Sequence, residues 1–408
     1  MPPPAPDRPW LLVSGGFHAQ GGMDKANLAL AEYLANRGTP VHLVCHKVEP
    51  RLAAHPMVTV HKVGRPANSY FLGSPLLDWR ARRVARRLAR RWPALRCVVN
   101  GGNCGLPDVN WSHFVHAAWK PSAVGASLPA RLKRVLEHDV ECRRERRAYR
   151  KARLIIANSE ITSRHIRQSL GEREGRLAEI RVIYLGGETA WGHVTGDERS
   201  HARQSLGLAP ERKIAVFVGG LGFDGRKGFD VLLQAWRILC VDPAWDADLL
   251  VAGNGPAFEF WKTQVAAAGL ARRIRMLGFC HDVSGLLAAA DLLVSTPRYE
   301  PYGLNIQEAL ARGLPVVSSA AAGIAERFPA GLRPLLLGNS ESAAELVQCL
   351  GVWRSNPELW RERFAGFARS LCARTWLDMA REMTETMESL PLPGSLDVMS
   401  LDVMPRGI

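Results

Sequence analysis

The feature of this sequence that most constrains its fold is a strand–glycine loop–helix pattern that occurs in two separate series. The first begins with the apolar run WLLVS at 10–14, followed by a glycine-rich loop at 15–22 and a helical pattern over 24–37. The second begins with KIAVFVGG at 213–220 and again alternates apolar runs with helical stretches. Such alternation is typical of parallel sheets covered by helices. The pattern therefore predicts an α/β protein with two doubly wound domains.

A polar, glycine-bearing stretch at 186–200 separates the two series and is the predicted interdomain linker. We expect four segments: an N-terminal domain over 1–190, a C-terminal domain over 191–373, a terminal helix over 374–390 and a disordered tail over 391–408. The tail repeats SLDVM twice, which is too few copies for a repeat architecture.

Composition narrows the class of protein. Apolar residues make up 47% of the 408 residues and charged residues 23%, which suffices for packed cores. No run approaches the roughly 18 apolar residues of a membrane-spanning helix, and the N-terminus does not read as a secretory signal. The eight cysteines are scattered without a CxxC pair, which disfavours a zinc ribbon. We therefore expect a cytoplasmic protein.

The charge balance predicts an anionic partner. The chain carries 53 Lys and Arg against 39 Asp and Glu, a net charge of +14. The excess lies on the N-terminal half, between Arg80 and Arg153. Its densest part is the segment DWRARRVARRLARRW at 78–92, whose apolar residues form one helical stripe: Ala81, Val84, Ala85, Leu88 and Trp92. This helix either docks on an anionic membrane surface through Arg80–Arg91, at the inner face of the membrane, or packs on a core with solvated arginines. Aromatic residues do not interleave with the arginines, so nucleic acid is not an expected partner.

Three glycine-rich loops each follow a predicted strand and precede a helix. GGFHAQGG at 15–22 matches neither a dinucleotide fingerprint nor a P-loop. FVGGLGFDGRKGF at 217–229 places Arg226 and Lys227 at the mouth of a helix, and LLVAGNGP at 249–256 offers glycines that a ring or base could approach. Loops of this kind bring backbone N–H groups to an anion, although each alone is equally typical of a tight turn.

The most informative segment is RYEPYGLNIQEALARGLPVVSS at 298–319. We predict a helix that opens at Gly303 or Leu304 and runs to about Arg312, which leaves Glu300 in the preceding loop and Glu308 one turn inside the helix. Two carboxylates beside a helix N-terminus suit a ligand that combines hydroxyl groups with phosphate. The alternative is a capped helix with solvent-facing glutamates.

Together these motifs resemble glycosyltransferase family 4, most densely between 213 and 320. The resemblance implies the GT-B fold, with two facing Rossmann-like domains, an interdomain cleft and final helices that cross back onto the N-terminal domain. It also implies retaining transfer of a hexose-type sugar from a nucleotide diphosphate sugar to an acceptor hydroxyl. The acceptor would be a glycan or lipid-linked molecule of cell-surface glycan or glycolipid assembly. No metal or other cofactor is expected, since fixed cations neutralise the diphosphate.

The resemblance also implies roles for individual residues. The E-x7-E motif is Glu300 to Glu308, with Glu300 by the donor sugar and Glu308 on the ribose. Lys227 matches the family lysine, but Leu221 stands where the family arginine is usual, so Arg226 is expected to substitute. The implied catalytic residues are Glu300, His116, Arg226 and Lys227. The other implied donor-binding residues are Gly22, Gly219, Gly220, Asn254, Gly255, Gly303, Leu304 and Glu308, and His113 and Glu326 are acceptor-side candidates.

Two rival functions remain open at this stage. A nucleotide-sugar epimerase would release an isomerised nucleotide sugar and need no acceptor. A non-catalytic nucleotide-sugar-binding protein of the same fold would bind a donor without turnover. The intact E-x7-E pair and Lys227 argue against loss of catalysis, whereas the missing arginine leaves it open.

Overall fold

The computed structural model describes residues 8–93, 95–120, 128–171, 178–188 and 194–391. These residues form two compact units. Unit 1 contains the described residues within 1–120, 132–186 and 376–408, and unit 2 contains those within 121–131 and 187–375. Apart from the segment 121–131, the chain passes between units at 186/187 and 375/376. These two positions lie a few residues from the predicted boundaries at 190 and 373. The SLDVM copies lie outside the described residues.

Each unit is built on a parallel sheet. The strands are β1 Trp10–Val13, β2 Gly16–Phe17, β3 Val41–Cys45, β4 Lys47–Val48, β5 Val58–Lys62, β6 Arg96–Val99, β7 Val109–Ser112, β8 Leu154–Ala157, β9 Glu179–Val182, β10 Lys213–Val218, β11 Ala247–Ala252, β12 Ile274–Gly278, β13 Leu292–Ser295, β14 Val316–Ser319 and β15 Leu336–Leu337. Unit 1 has the strand order β5-β3-β1-β6-β7-β8-β9 with a small β2-β4 pair, and unit 2 has the order β12-β11-β10-β13-β14-β15.

Helices connect these strands. They are α1 Gly22–Asn36, α2 Pro50–Ala53, α3 Tyr70–Ala89, α4 Leu128–Lys151, α5 Glu160–Leu170, α6 Gly196–Ser205, α7 Phe229–Leu239, α8 Phe258–Ala267, α9 Val283–Ala289, α10 Leu304–Ala311, α11 Ala343–Ser355, α12 Pro357–Cys372 and α13 Trp376–Glu388. The predicted strand–helix alternation is therefore confirmed in both series.

The predicted apolar stripe of the basic helix is a core stripe. Ala81, Val84, Ala85 and Leu88 are buried in one cluster with residues of β1, β3 and β6, and Trp92 packs against that cluster. The helix is longer than predicted, because it begins at Tyr70 behind the cap that Ser69 forms with the backbone N–H of Leu72. Its packing role is thus established by the structure.

The final helix returns to unit 1. Helix α13 packs on α1, and its residues Met379, Met383 and Met387 are fully buried. Glu388 at its end pairs with Arg37 just after α1. Of the final helices that were expected to cross back onto the N-terminal domain, α13 does so, whereas α12 belongs to unit 2.

The predicted linker is shorter than expected. Residues 189–193 lie outside the described residues, but α6 already begins at Gly196, where the Thr195 side chain accepts a hydrogen bond from the backbone N–H of Glu198. The polar sequence GDERSHARQS is therefore a helix with a solvated face rather than the second half of a linker.

Candidate functional site

In unit 2 the candidate site lies at the carboxyl ends of β10, β11 and β13, which neighbour one another in the sheet. Three loops leave these strands: residues 219–228, 253–257 and 296–303. Carboxyl ends of parallel strands meet at one edge, which is where α/β sheets bind ligands. Most of the donor-binding residues implied by the sequence lie on these loops or on the helix that follows the third one.

The GNGP loop packs against the first glycine loop. A Cβ on Gly253 would lie 1.8 Å from the carbonyl oxygen of Gly219, and one on Gly255 would lie 2.4 Å from that of Leu221. The backbone N–H of Leu221 donates to the Asn254 carbonyl at 3.1 Å. In the structure these two glycines allow the close approach of another segment of the protein backbone. The sequence had suggested that they allow the approach of a ring or base of a ligand. Asn254 itself is exposed.

The loop that carries Arg226 and Lys227 is fixed to the segment that follows β13. Gly228 has φ +66°, and a Cβ there would lie 1.9 Å from the Thr296 carbonyl oxygen. The Thr296 hydroxyl donates to the Gly228 carbonyl at 3.0 Å, and Arg298 donates from its backbone N–H to the Arg226 carbonyl at 2.9 Å. Arg298 also donates from Nη1 to the Gly225 carbonyl at 2.7 Å. The two cations are thus held on a rigid turn.

Glu300 lies against both cations. Its Oε2 accepts a hydrogen bond from Lys227 Nζ and lies 3.5 Å from Arg226 Nη1. The three side chains are only 14–25% exposed. Burial alone would raise the pKa of Glu300, and the charges of Lys227 and Arg226 outweigh it, so that the pKa lies below its usual range. The carboxylate is therefore ionised at neutral pH.

The Glu300 backbone is held by a short parallel bridge. Glu300 pairs with Ala322, and its carbonyl accepts from the Gly323 N–H at 2.9 Å. The 3-10 turn Gly323–Arg327 follows directly and carries Glu326, which is exposed. Glu300 and Glu326, which the sequence selected separately, thus lie on neighbouring segments.

The helix after Glu300 has the predicted bounds. It begins at Leu304, directly after Gly303 in the left-handed conformation, and Glu308 is its fifth residue and half-buried. Asn305, which the sequence analysis did not select, donates from its side chain to the Val218 carbonyl at 3.1 Å and to the Ser295 hydroxyl at 3.3 Å. This residue ties the N-terminus of α10 to the ends of β10 and β13.

Unit 1 places its two histidine candidates in different environments. His116 lies in a 3-10 turn, is 33% exposed and contacts the fully buried Glu145 of α4. His113 is buried against Trp111, with ring centroids 4.3 Å apart, and burial lowers its pKa to about 3. His113 is therefore a neutral, enclosed ring, which favours His116 of the two for contact with a ligand.

The N-terminal glycine loop of unit 1 surrounds a contact between His18 and Asp24. Gly22 begins α1, and Asp24 in its first turn lies 3.7 Å from His18 Nε2. A Cβ on Gly16 would lie 2.7 Å from the Asp24 carboxylate and 2.8 Å from the His18 ring. Close packing thus requires glycine at position 16, and the sequence did not single out Asp24 or His18.

Within the described residues, no group of three or more His, Cys, Asp or Glu side chains is arranged to hold a metal ion. Over the same part of the chain, no helix is both long enough and apolar enough to cross a membrane.

The chain matches two protein-family models. Residues 198–364 match the model described as glycosyl transferases group 1, and residues 20–191 match the model described as glycosyltransferase family 4. Among the curated proteins, the lipopolysaccharide core biosynthesis mannosyltransferase of Rhizobium meliloti is 30% identical over 47% of this chain and 56% of its own length. The chain spans about half the length of the curated relatives it matches.

Two solved structures superpose on nearly the whole of this chain. Sucrose-phosphate synthase from Thermosynechococcus elongatus superposes with a TM-score of 0.73 at 19% identity, covering 93% of this chain and 98% of that one. The Anabaena protein HepE in complex with UDP-glucose gives a TM-score of 0.67 at 20% identity, covering 94% and 100%. These similarities establish the GT-B fold that the sequence predicted.

Proposed function

The chain belongs to glycosyltransferase family 4, and on this premise we propose that it transfers a hexose-type sugar from a nucleotide diphosphate sugar to an acceptor hydroxyl. The observation that carries the proposal is the contact of Glu300 with Lys227 and Arg226 at the carboxyl edge of the unit 2 sheet. Fixed cations at this edge are suited to a diphosphate, and the ionised carboxylate is suited to a sugar.

The proposed reaction retains the anomeric configuration. Negative charge grows on the diphosphate as the glycosidic bond breaks, and Lys227 and Arg226 stabilise it without reorganisation because their turn is fixed. Positive charge grows on the sugar ring, near which Glu300 presents an ionised carboxylate. In this proposal the two cations take the part that a metal ion plays elsewhere. The UDP-glucose bound by the structural neighbour from Anabaena supports a nucleotide sugar as donor.

We propose that the acceptor is a glycan or lipid-linked molecule of the cell surface. The relative from Rhizobium meliloti acts in lipopolysaccharide core biosynthesis, which supports this class. A thermal-shift panel of UDP-, GDP- and ADP-sugars would identify the donor, since a ligand present at 100 times its Kd stabilises by about 2.7 kcal/mol. Product analysis with that donor then separates the candidates: a new glycoside supports transfer, an isomerised donor indicates an epimerase, and binding without turnover indicates a binding protein.

Glu308 is the proposed ribose ligand. Replacing Glu308 with alanine should weaken donor affinity by roughly 1–3 kcal/mol, the cost of losing hydrogen bonds to a charged group. Calorimetry with the nucleotide alone measures the loss, because the ribose belongs to the nucleotide. Glu385→Ala, at an exposed position of α13, is the control. Equal affinities of Glu308→Ala and the wild type would exclude the ribose role.

Arg226 and Lys227 are proposed to act as one clamp, and their shared contact with Glu300 makes a specific prediction. Each single alanine variant should lower turnover, by roughly 10²-fold for Lys227, which is the closer cation. The fold-reduction in turnover of the double variant should be smaller than the product of the two single fold-reductions, because both side chains share one partner. The three rates are compared at saturating donor. Full turnover of Arg226→Ala would show that Arg226 does not replace the missing family arginine.

The exposed face of α3 supports a second proposal, that unit 1 docks on an anionic membrane surface. Leu72, Leu76 and Trp79 are 39–56% exposed along this face. The exposed Arg83 and Arg87 follow them on the same helix, and the exposed Arg90 comes directly after its last residue. The structure corrects part of the predicted Arg80–Arg91 surface: Arg82 is bound to Asp78 at 2.7 Å, and the Nε of Arg80 is buried. The remaining arginines suit anionic head groups, and Trp79 suits the interface.

Vesicle co-sedimentation tests this docking. The wild type should bind phosphatidylcholine vesicles that contain phosphatidylglycerol and not pure phosphatidylcholine, and the binding should weaken as salt shortens the Debye length. The variant Arg83→Gln, Arg87→Gln, Arg90→Gln should lose about 1 kcal/mol per residue. A variant with Arg237, Arg363 and Arg369 of unit 2 changed to glutamine removes the same charge and serves as the control. Equal losses in the two triple variants would contradict the docking face.

A further inference from the structure

Glu145 is a fully buried carboxylate directly beneath His116. One of its oxygens, Oε2, accepts the backbone N–H of His116 at 2.9 Å, and the other, Oε1, lies 3.1 Å from the ring atom Nδ1. A single carboxylate thus fixes both the backbone turn and the orientation of the imidazole. The backbone packs closely as well, since a Cβ on Gly102 would lie 3.0 Å from the Glu145 nitrogen.

This pairing is selective within an arginine-rich helix. Glu145 lies on α4 between Arg144 and Arg146, yet within the part of the chain that the structure describes its sole ion-pair partner is His116. Arg144 is bound to Glu141 at 2.8 Å and to the Phe71 carbonyl at 3.3 Å, and Arg146 is exposed. A buried carboxylate is costly unless a positive charge compensates it. The imidazolium form of His116 supplies that charge.

The geometry leaves the other ring nitrogen for a ligand. With Nδ1 directed at Glu145, Nε2 is the free polar atom of the ring, and it has no hydrogen-bond partner among the described residues. Burial alone would lower the pKa of His116, but the hydrogen bond and charge of Glu145 outweigh this, with a smaller contribution from Glu141, so that the pKa is raised. A protonated ring held in this way donates through Nε2–H.

Other titratable groups face the same turn from the helices packed on it. On α4, His138 has its Nε2 2.9 Å from the carbonyl oxygens of His116 and Trp119, and Glu141 adds negative charge. Helix α5 also packs on the turn and begins with Glu160. Glu145 is the one of these acids that is hydrogen-bonded to the His116 ring in the described structure.

We infer that Glu145 is a positioning residue that orients His116 and pairs with its imidazolium form, so that its Nε2–H is presented to an oxygen of a ligand bound at unit 1. The inference rests on the proposed function, because the role of His116 in the transfer is the one that the family resemblance implies. It adds a residue that acts on the ligand only through His116.

A pH titration of the His116 ring by ¹⁵N NMR, with the signal assigned by its loss in His116→Gln, tests the pairing without any substrate. In the wild type we expect Nδ1 to stay protonated and the ring to titrate above 6.5, the ordinary value for histidine. Glu145→Gln, which keeps the shape of the side chain, should lower the titration midpoint by roughly one unit or more. Glu141→Gln is the control and should lower it less.

Turnover gives the second readout. Activity should fall on the alkaline side as His116 loses its proton, and in Glu145→Gln this fall should move to lower pH by the same interval as the NMR midpoint. Two results would overturn the inference: a titration midpoint of His116 at or below 6.5 in the wild type, or equal shifts of that midpoint in Glu145→Gln and Glu141→Gln. The first result is obtained with the wild type and does not depend on whether a variant folds. If no nucleotide sugar is turned over, the proposed function fails, and the NMR titration still decides the role of Glu145.

Discussion

Replacing Glu300 with glutamine is expected to reduce turnover by roughly 10²–10³-fold, the range found when one fixed electrostatic group is removed from an active site. Glutamine keeps the volume of the side chain and can still accept a hydrogen bond from Lys227. Glutamine lacks the negative charge of Glu300, whose carboxylate the two adjacent cations keep ionised at neutral pH. In the proposed reaction that charge faces the sugar, where positive charge would develop as the bond to the diphosphate breaks.

Nucleotide affinity should respond in the opposite sense. Lys227 and Arg226 are partly neutralised by Glu300 in the free protein, so glutamine leaves them more positive toward a diphosphate. We therefore expect Glu300→Gln to bind the nucleoside diphosphate as tightly as the wild type, or more tightly. Steady-state rates and calorimetry on the same preparations separate the two quantities.

Glu358→Gln is the matched control, because Glu358 is also a glutamate beside an arginine, Arg361 at 3.7 Å, but lies exposed on α12. Its turnover should stay within about twofold of the wild type, as for surface substitutions in general. If Glu300→Gln loses affinity and turnover in equal proportion, Glu300 contributes to donor binding and the proposed role in the transition state is wrong.

The sequence did not predict strands β7 and β9, and the physical reason differs between the two. Strand β7, VNWS, is fully buried although it contains Asn110, because that side chain satisfies itself on the backbone N–H and carbonyl of Gly101 at 3.0 and 2.9 Å. Strand β9, EIRV, lies at the edge of its sheet and is partly exposed, so it lacks an apolar run. Hydrophobic pattern detects neither kind of strand.

The same limit applies to the candidate site. Sequence placed Lys227 and Glu300 each after a strand, and parallel topology then brings the ends of β10 and β13 together. That the two side chains pair with each other depends on the turn at Gly228 and on its contact with Thr296, which no local pattern encodes. Glu145 was missed for a related reason. Within an arginine-rich helix its sequence context is typical of a solvent-exposed charge, and its burial depends on how α4 packs.

The second large effect is expected at Gly228, which precedes α7 and follows Lys227. Alanine there meets two separate costs. The left-handed backbone, φ +66°, costs an L-residue about 1–2 kcal/mol. The new Cβ would also lie 1.9 Å from the Thr296 carbonyl oxygen, which belongs to backbone and cannot rotate away; overpacking of this kind costs about 1–3 kcal/mol. Gly228→Ala should therefore lower the free energy of unfolding by roughly 2–5 kcal/mol.

Calorimetric unfolding of the full chain measures this loss, and Gly351→Ala is the control. Gly351 lies exposed in the middle of α11, and a Cβ there meets no heavy atom within 4 Å, so alanine should be neutral or stabilise by up to about 1 kcal/mol. Any Gly228→Ala protein that folds should also turn over slowly, because Thr296 and Gly228 can separate only if the turn that carries Lys227 moves away from Glu300. An unchanged unfolding temperature with full activity would show that this turn is not fixed, and the argument that Lys227 and Arg226 are held in place for the diphosphate would fail with it.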